Sequence, residues 1–195
     1  MRRRPLYSLL SFFRDLFIIL PRRVTIDLSR NITFFSKLQA IETFVGIEKD
    51  LIQSACGVLS IQMVMSFYSR TVPSLADLSS NLMRWKAFSI ERGLVLTRVN
   101  EALLEYGFRS EMHRQVSCKR LFHYLTDGIP VIASVVGSQG GHLVVLVGVS
   151  IDAGKIKKVL YLDPNNSVTN SLVTVSLEEW QSIFNKRALV VLPTH

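Results

Sequence analysis

The fold of this chain is decided by residues 141–164, which read GHLVVLVGVSIDAGKIKKVLYLDP. An almost uninterrupted run of Val and Leu follows His142, which is typical of a central strand covered on both faces. The segment Asp152-Ala153-Gly154 predicts a tight turn, and residues 157–162 return as the next strand. Antiparallel pairing around this turn brings His142, at the start of the first strand, beside Asp163, at the end of the second.

Helices are predicted mainly before this hairpin and strands mainly from the hairpin onward. Apolar periodicity and capping residues predict helices over residues 56–70, 74–83, 94–106, 117–126 and 176–184. Further strands are predicted over residues 108–115, 130–136 and 188–192, the first of them at a sheet edge. The pattern predicts an α+β domain over residues 41–195, with helices packed on an antiparallel sheet, preceded by an arm over residues 1–40.

Composition and charge indicate a globular domain with a basic N-terminal arm. The 195 residues are 48% hydrophobic and 19% charged, which suits a folded core and excludes a disordered chain. The formal net charge is +8, and residues 1–37 alone hold eight basic and two acidic side chains. The rest of the chain has little net charge, no basic stripe and no recognition-helix pattern, so nucleic-acid binding is not predicted.

Residues 1–23 form a basic, apolar segment with three open interpretations. Its apolar side chains share one helical face, but its longest uninterrupted apolar run, residues 16–20, is too short to cross a bilayer. The segment is a helix packed on the domain or on a partner, a helix attached to an anionic membrane surface, or a degenerate signal peptide. The predicted location is cytoplasmic, with or without peripheral attachment to a membrane.

Cys56 is the predicted nucleophile, because it lies where a polar loop runs into an apolar helix. Backbone N–H groups at a helix start stabilise a thiolate, which is the reactive form of cysteine. A thiol nucleophile also needs a base and a group that orients the base, and the hairpin supplies His142 and Asp163 for these roles. Cys118 also begins a predicted helix, but no histidine motif accompanies it, so we interpret it as a packed thiol.

The sequence predicts no cofactor and no metal site. Two cysteines do not make a disulfide scaffold, and His113, His123 and His195 show no metal-ligand spacing with either of them. The glycine-rich residues 137–141 lack the following helix and lysine of a phosphate-binding loop.

Five short segments carry a family resemblance. They are Cys56-Gly57, Gly93-Leu94 with Gly107-Phe108, Gly128 to Ile132, Gly141 to Gly148, and Tyr161 to Pro164. Together they resemble the papain-like cysteine peptidases of the bacteriocin-processing type, which cleave double-glycine leader peptides. No phosphate-binding loop of an ATPase is present, so the chain resembles the stand-alone members of this group.

The resemblance covers about residues 41–195 and implies a function as well as a fold. It implies a papain-like fold, a peptide substrate, and thiol-dependent cleavage of a peptide bond through an acyl-enzyme. Cys56 would be the nucleophile, His142 the base and Asp163 the residue that orients the base.

One position departs from the family pattern and leaves the oxyanion hole open. The family usually places a glutamine shortly before the nucleophile to hold the oxyanion, and Asp50 stands at the expected position. Gln53 is the candidate that we favour, with Gln39 and the backbone N–H of Cys56 as alternatives. Because an acyl-enzyme also reacts with amines, an acyltransferase using the same triad is an alternative function. Asp50 keeps a third hypothesis open, a pseudo-peptidase that binds an extended peptide without cleaving it.

Overall fold

The computed structural model describes the chain over residues 23–37, 39–40, 54–137, 140–167 and 171–194. The predictions that concern residues 1–22, Asp50 and Gln53 lie outside these residues. No helix in the described ranges is long and apolar enough to cross a membrane.

Helices and an antiparallel sheet make up the described part of the chain. The helices are α1 (Cys56–Tyr68), α2 (Leu75–Arg84), α3 (Val99–Leu104), α4 (Cys118–Thr126) and α5 (Leu177–Ile183). The strands are β1 (Arg23–Asp27), β2 (Phe88–Ser89), β3 (Gly93–Leu94), β4 (Phe108–Arg114), β5 (Val131–Gly137), β6 (Gly140–Asp152), β7 (Lys155–Leu162), β8 (Leu172–Ser176) and β9 (Phe184–Pro193). Seven of these strands form one sheet in the order β4-β9-β5-β6-β7-β8, with β1 paired to β6, while β2 and β3 pair separately. The predicted α+β class and the edge position of β4 are confirmed.

Strand β6 is the centre of the domain, because its two faces supply two separate cores. Leu143, Val145 and Val147 belong to the core that includes α1 and α2. Val144 and Leu146 belong to the opposite core, with the buried faces of α4 and α5. A strand covered on both faces must be apolar at consecutive positions, which explains the run of Val and Leu after His142.

The β6–β7 hairpin forms as predicted, with Asp152 paired to Lys155 across the turn. The two turn residues, Ala153 and Gly154, have φ angles of 49° and 74°. Positive φ at both central positions matches the twist of the flanking strands, which is why such turns close hairpins. The turn therefore brings the start of β6 and the end of β7 to the same end of the sheet.

The helix predicted over residues 94–106 is wrong at its start. Gly93 and Leu94 instead form β3, in which Leu94 pairs with Phe88. Val95 is extended, a short 3-10 turn covers Leu96–Arg98, and α3 begins only at Val99. Cross-strand pairing therefore outweighs the helical periodicity of this segment.

Strand β1 was not predicted, and it pairs with β6 across Gly148. A Cβ atom at Gly148 would lie 2.2 Å from the carbonyl oxygen of Ile26, so the backbones approach as closely as glycine alone permits. The boundary between residues 40 and 41 stays a prediction, while β1, which precedes it, is part of the sheet. Strand β8 was also missed by the sequence pattern.

Candidate active site

Cys56 is the first residue of α1 and lies at the end of that helix nearest β3 and β6. The preceding residue, Ala55, has a helical backbone and no capping side chain. Two residues before Cys56, the Ser54 hydroxyl donates a 2.5 Å hydrogen bond to the carbonyl oxygen of Ile90. This bond fixes the start of α1 against the segment that links β2 and β3, while the first-turn N–H groups have no acceptor within the helix.

Gly57 explains how Cys56 is brought so close to the sheet. A Cβ atom at this position would lie 2.7 Å from Cβ of Leu94 and 3.0 Å from Cδ1 of Leu143. Any larger residue would push the helix start away from β3 and β6. The glycine directly after Cys56 is therefore required by packing at the point where the helix start meets β3 and β6.

His142 and Asp163 meet at the end of the hairpin. The Nε2 atom of His142 lies 2.7 Å from Oδ1 of Asp163, and the two side chains are 12% and 19% exposed. The same carboxylate oxygen accepts a 2.8 Å hydrogen bond from the backbone N–H of Asn165. A carboxylate only accepts hydrogen bonds, so Nε2 holds a proton and Nδ1 is the ring nitrogen available for the hydrogen bond with Cys56.

The three side chains shift one another's acidity. Burial raises the pKa of Cys56, but the hydrogen bond and positive charge of His142 outweigh it, so the pKa lies below its usual value. Burial disfavours the charged form of His142, yet hydrogen bonds to Asp163 and Cys56 raise its pKa to about 9. Burial likewise raises the pKa of Asp163, but the hydrogen bonds from His142 and the backbone of Asn165, together with the positive charges of His142 and Lys37, lower it below its usual value. These shifts favour a thiolate–imidazolium pair held by a carboxylate.

Lys37 is a neighbour of this cluster that sequence reasoning missed. Its backbone N–H donates a 2.9 Å hydrogen bond to the carbonyl oxygen of Pro164, beside Asp163. Its positive charge helps to lower the pKa of both Cys56 and Asp163, as a smaller contribution than that of His142. The contact joins residues far apart in the chain, so no local pattern in the sequence signals it.

Cys56 opens into a cleft with a volume of about 480 Å³. The cleft is lined by residues 92–97, which include β3, and by residues of β4, β5, β6 and β9. Gly141, directly before His142, lines this cleft, and among the described residues other than its chain neighbours the nearest atom to a Cβ there would be the Ser134 hydroxyl, at 4.0 Å. The thiol is therefore reachable from a groove that has open space beside the histidine.

Gln39 does not reach this cleft. Its side-chain oxygen accepts a 3.1 Å hydrogen bond from the backbone N–H of Ser36, and it lines a different cavity beside Gln62. In the described part of the chain, no side-chain amide lines the cleft of Cys56. Gln53 lies outside the described residues, so its role stays a prediction. Nor do the described residues contain a group of three or more His, Cys, Asp or Glu placed to hold a metal.

The comparisons with known proteins point to one family. The model of the Peptidase_C39 like family matches residues 30–188. A search of curated proteins finds no significant match.

Solved structures of peptidases share the fold at low sequence identity. A double glycine motif protease from an AMS/PCAT transporter, solved with its leader peptide, is 22% identical, with 77% of this chain and 90% of that chain covered and a TM-score of 0.51. The peptidase domain of Streptococcus ComA, a bifunctional ABC transporter involved in quorum sensing, is 20% identical, with 72% and 93% covered and a TM-score of 0.56. A putative C39-like peptidase from Bacillus anthracis is 14% identical, with 87% and 98% covered and a TM-score of 0.60.

These similarities confirm the papain-like fold and the resemblance to bacteriocin-processing peptidases that the sequence motifs predicted. The family model spans the helix start at Cys56 and the hairpin that holds His142 and Asp163. Since it matches well over half of the sequence, the chain belongs to the Peptidase_C39 like family.

Proposed function

We propose that the chain is a cysteine peptidase that cleaves a peptide or leader sequence with Cys56, His142 and Asp163. The observation that carries this proposal is the contact chain from the Cys56 thiol to the His142 ring, and from that ring to Asp163 at 2.7 Å. A nucleophile, a base and an orienting carboxylate in this order are the parts that acyl-transfer chemistry requires.

The protonation states set the direction of each step. The Cys56 thiolate attacks the carbonyl carbon of the peptide bond, and the His142 imidazolium gives its proton to the departing amine. Water then attacks the carbonyl carbon of the thioester while His142 takes a proton from it, and the C–S bond breaks, which releases the acid and restores the thiolate–imidazolium pair. Throughout, the hydrogen bond to Asp163 holds the ring in place and stabilises its positive charge.

The oxyanion formed during the attack needs hydrogen-bond donors close to Cys56. The backbone N–H of Cys56 is one candidate, because it lies in the first turn of α1 and has no acceptor within that helix. Gln53 remains the side-chain donor that we favour, since it precedes the nucleophile by three residues.

A peptide substrate is supported by a relative and by the shape of the cleft. The double glycine motif protease was solved in complex with a leader peptide. In this chain, the open space at Gly141 leaves room for an extended peptide beside His142.

Trapping the acyl-enzyme tests the proposal. The protein is incubated with a mixture of double-glycine leader peptides, quenched with acid after a few turnovers, and analysed by intact mass spectrometry. We expect a thioester on Cys56 in the wild-type protein and new peptide termini in solution, both absent in Cys56→Ala. Adding a high concentration of a small amine distinguishes hydrolysis from acyl transfer, because a transferase would yield mainly the amide. Binding of the peptides with neither thioester nor products would contradict a catalytic role.

A further inference from the structure

Three arginines line the cleft that contains Cys56. They are Arg92 on the β3 side, Arg114 at the end of β4 and Arg187 on β9, and all three are exposed. Among the described residues that line the cleft, none is Asp or Glu. The groove beside the nucleophile is therefore positively charged.

The sheet register holds two of these arginines side by side. Arg114 and Arg187 are directly opposite each other in the antiparallel β4–β9 pair. Two residues along each strand, Met112 faces Leu189, and both contribute to the core on the α1 side of the sheet. Because side chains alternate between faces, Arg114 and Arg187 emerge on this same face, where the buried core gives way to the cleft.

The two facing guanidinium groups have no counter-charge in the described part of the chain. No described carboxylate lies within ion-pair distance of Arg114 or Arg187, whereas Arg92 has the neighbouring Glu91 within range of its charge. Like charges directly opposite in a sheet are destabilising, so an anion between them would relieve a repulsion that the fold itself maintains. Guanidinium groups also bind carboxylates with paired, directional hydrogen bonds.

We propose that this cleft binds the carboxylate of an Asp or Glu side chain in the substrate, close to the cleaved bond. Arg114 and Arg187 are the specificity-determining residues, and Arg92, beside β3, adds a third positive charge to the lining. The proposal rests on the proposed peptidase function, because it assigns the cleft to the substrate of Cys56.

Two alkylating reagents of similar size test the charge of the cleft without any substrate. Iodoacetate is an anion and iodoacetamide is neutral, and both react with the thiolate of Cys56. The ratio measured is the rate constant of iodoacetate at Cys56 divided by that of iodoacetamide. Both rates depend equally on the fraction of thiolate, so the ratio reports only how strongly the site favours or disfavours a carboxylate. We expect the ratio to fall about fivefold in an Arg114→Gln/Arg187→Gln variant, and to fall with rising salt in the wild-type protein.

A control of equal net charge is available on the same protein. Arg109, on β4, and Arg120, on α4, are exposed and do not line the cleft. The Arg109→Gln/Arg120→Gln variant should keep the wild-type ratio. An unchanged ratio in the cleft variant, or an equal fall in the control variant, would overturn the proposal.

Peptide pairs then test whether the bound anion belongs to the substrate. Each peptide cleaved by the wild-type protein is compared with versions in which a residue near the cleaved bond is Glu or Gln. We expect kcat/KM to favour Glu by about tenfold in the wild-type protein and to lose that preference in the Arg114→Gln/Arg187→Gln variant, with cleavage of the Gln versions retained. Equal cleavage of Glu and Gln versions by the wild-type protein would refute carboxylate recognition. If Cys56 reacts preferentially with iodoacetate but the protein cleaves no peptide, the peptidase function is refuted. The reagent ratio would then still show whether the cleft binds an anion.

Discussion

Cys56 and Cys118 occupy the same kind of position in two different helices. Each is the first residue of its helix, α1 or α4, and each is partly exposed. The two starts differ in their caps: Ser117 before Cys118 accepts a 3.3 Å hydrogen bond from the backbone N–H of Arg120, whereas Ala55 before Cys56 has no capping group. Apart from this cap, their position at a helix start and their partial exposure would rank them as similar thiols.

Their acidities nevertheless move in opposite directions. Burial raises the pKa of both thiols, and at Cys118 it prevails, so that pKa lies above its usual value. At Cys56, the hydrogen bond and charge of His142 reverse the effect of burial. A helix start is thus insufficient to activate a thiol in this fold, and the imidazole delivered by β6 makes the difference.

Exchanging each thiol should produce the largest contrast between the two sites. We expect Cys56→Ala to lower peptide cleavage by at least about a thousandfold, because the nucleophile itself is removed. Cys118→Ser should leave kcat/KM within about twofold. Both are measured with the same peptide under single-turnover conditions, and retained cleavage in Cys56→Ala would assign the reaction to another residue.

Removing the imidazole should make Cys56 resemble Cys118. In His142→Ala, burial remains while the main cause of the lowered pKa is lost, so the pKa of Cys56 should rise above its usual value. The iodoacetamide rate at pH 7 should then fall by about ten- to a hundredfold. The difference from wild type should narrow as the pH rises past the pKa of an ordinary free thiol.

The control for this variant is Cys118 in the same molecule. Its alkylation rate should be unaffected by His142→Ala at every pH, since nothing at that thiol depends on His142. A pH profile of Cys56 that does not change in the variant would mean that the imidazole does not set its acidity.

The parts of the candidate site that depend on residues close together in the sequence could be predicted from the sequence. His142 and Asp163 are 21 residues apart, and a tight turn with Gly154 at positive φ is enough to bring them together. The start of α1 at Cys56 was equally visible in the change from polar to apolar residues. Capping boxes and strand alternation act over a few residues, so they can be interpreted without knowing the tertiary fold.

Long-range contacts account for what sequence patterns missed. Lys37 reaches the site through a hydrogen bond to Pro164, and β1 joins the sheet through β6. A glycine inside a buried strand signals a close backbone approach, so Gly148 was the available clue to an additional strand. The facing pair Arg114 and Arg187 depends on the β4–β9 register, which local propensity does not set.

Asp163 links the reactivity of Cys56 to the stability of the domain. Its hydrogen bond and charge help to raise the pKa of His142 from 6.5 to about 9, so the protonated ring stabilises the fold fully below about pH 6.5 and loses this effect as pH rises through 9. The pKa of Asp163 is lowered from 3.8, so its own contribution is lost as the pH falls below that range. The charge pair is therefore most stabilising between about pH 4 and 6.5.

The Asp163→Asn variant should lose stability mainly in this pH range. The free energy of unfolding should drop by about 2 kcal/mol relative to wild type at pH 5.5, and the difference should shrink by pH 9.5. Denaturant titrations at the two pH values measure it. Asp152→Asn, which removes only a 3.8 Å surface pair with Arg23, should change stability little at either pH. A deficit that is constant with pH would show that charge on His142 is not involved.

Changes at the helix caps should have the smallest effects among these tests of the two helix starts. Ser117→Ala removes the hydrogen bond to the backbone N–H of Arg120 and should lower the free energy of unfolding by about 1 kcal/mol. Ala55→Ser should not produce the opposite gain, because residue 55 is fully buried and its helical backbone does not suit a cap. Neither the cap nor its loss touches His142, so the iodoacetamide rate of Cys56 should stay within about twofold in Ser117→Ala. A larger change would mean that the two helix starts are coupled through the sheet, and that the imidazole alone does not separate the two thiols.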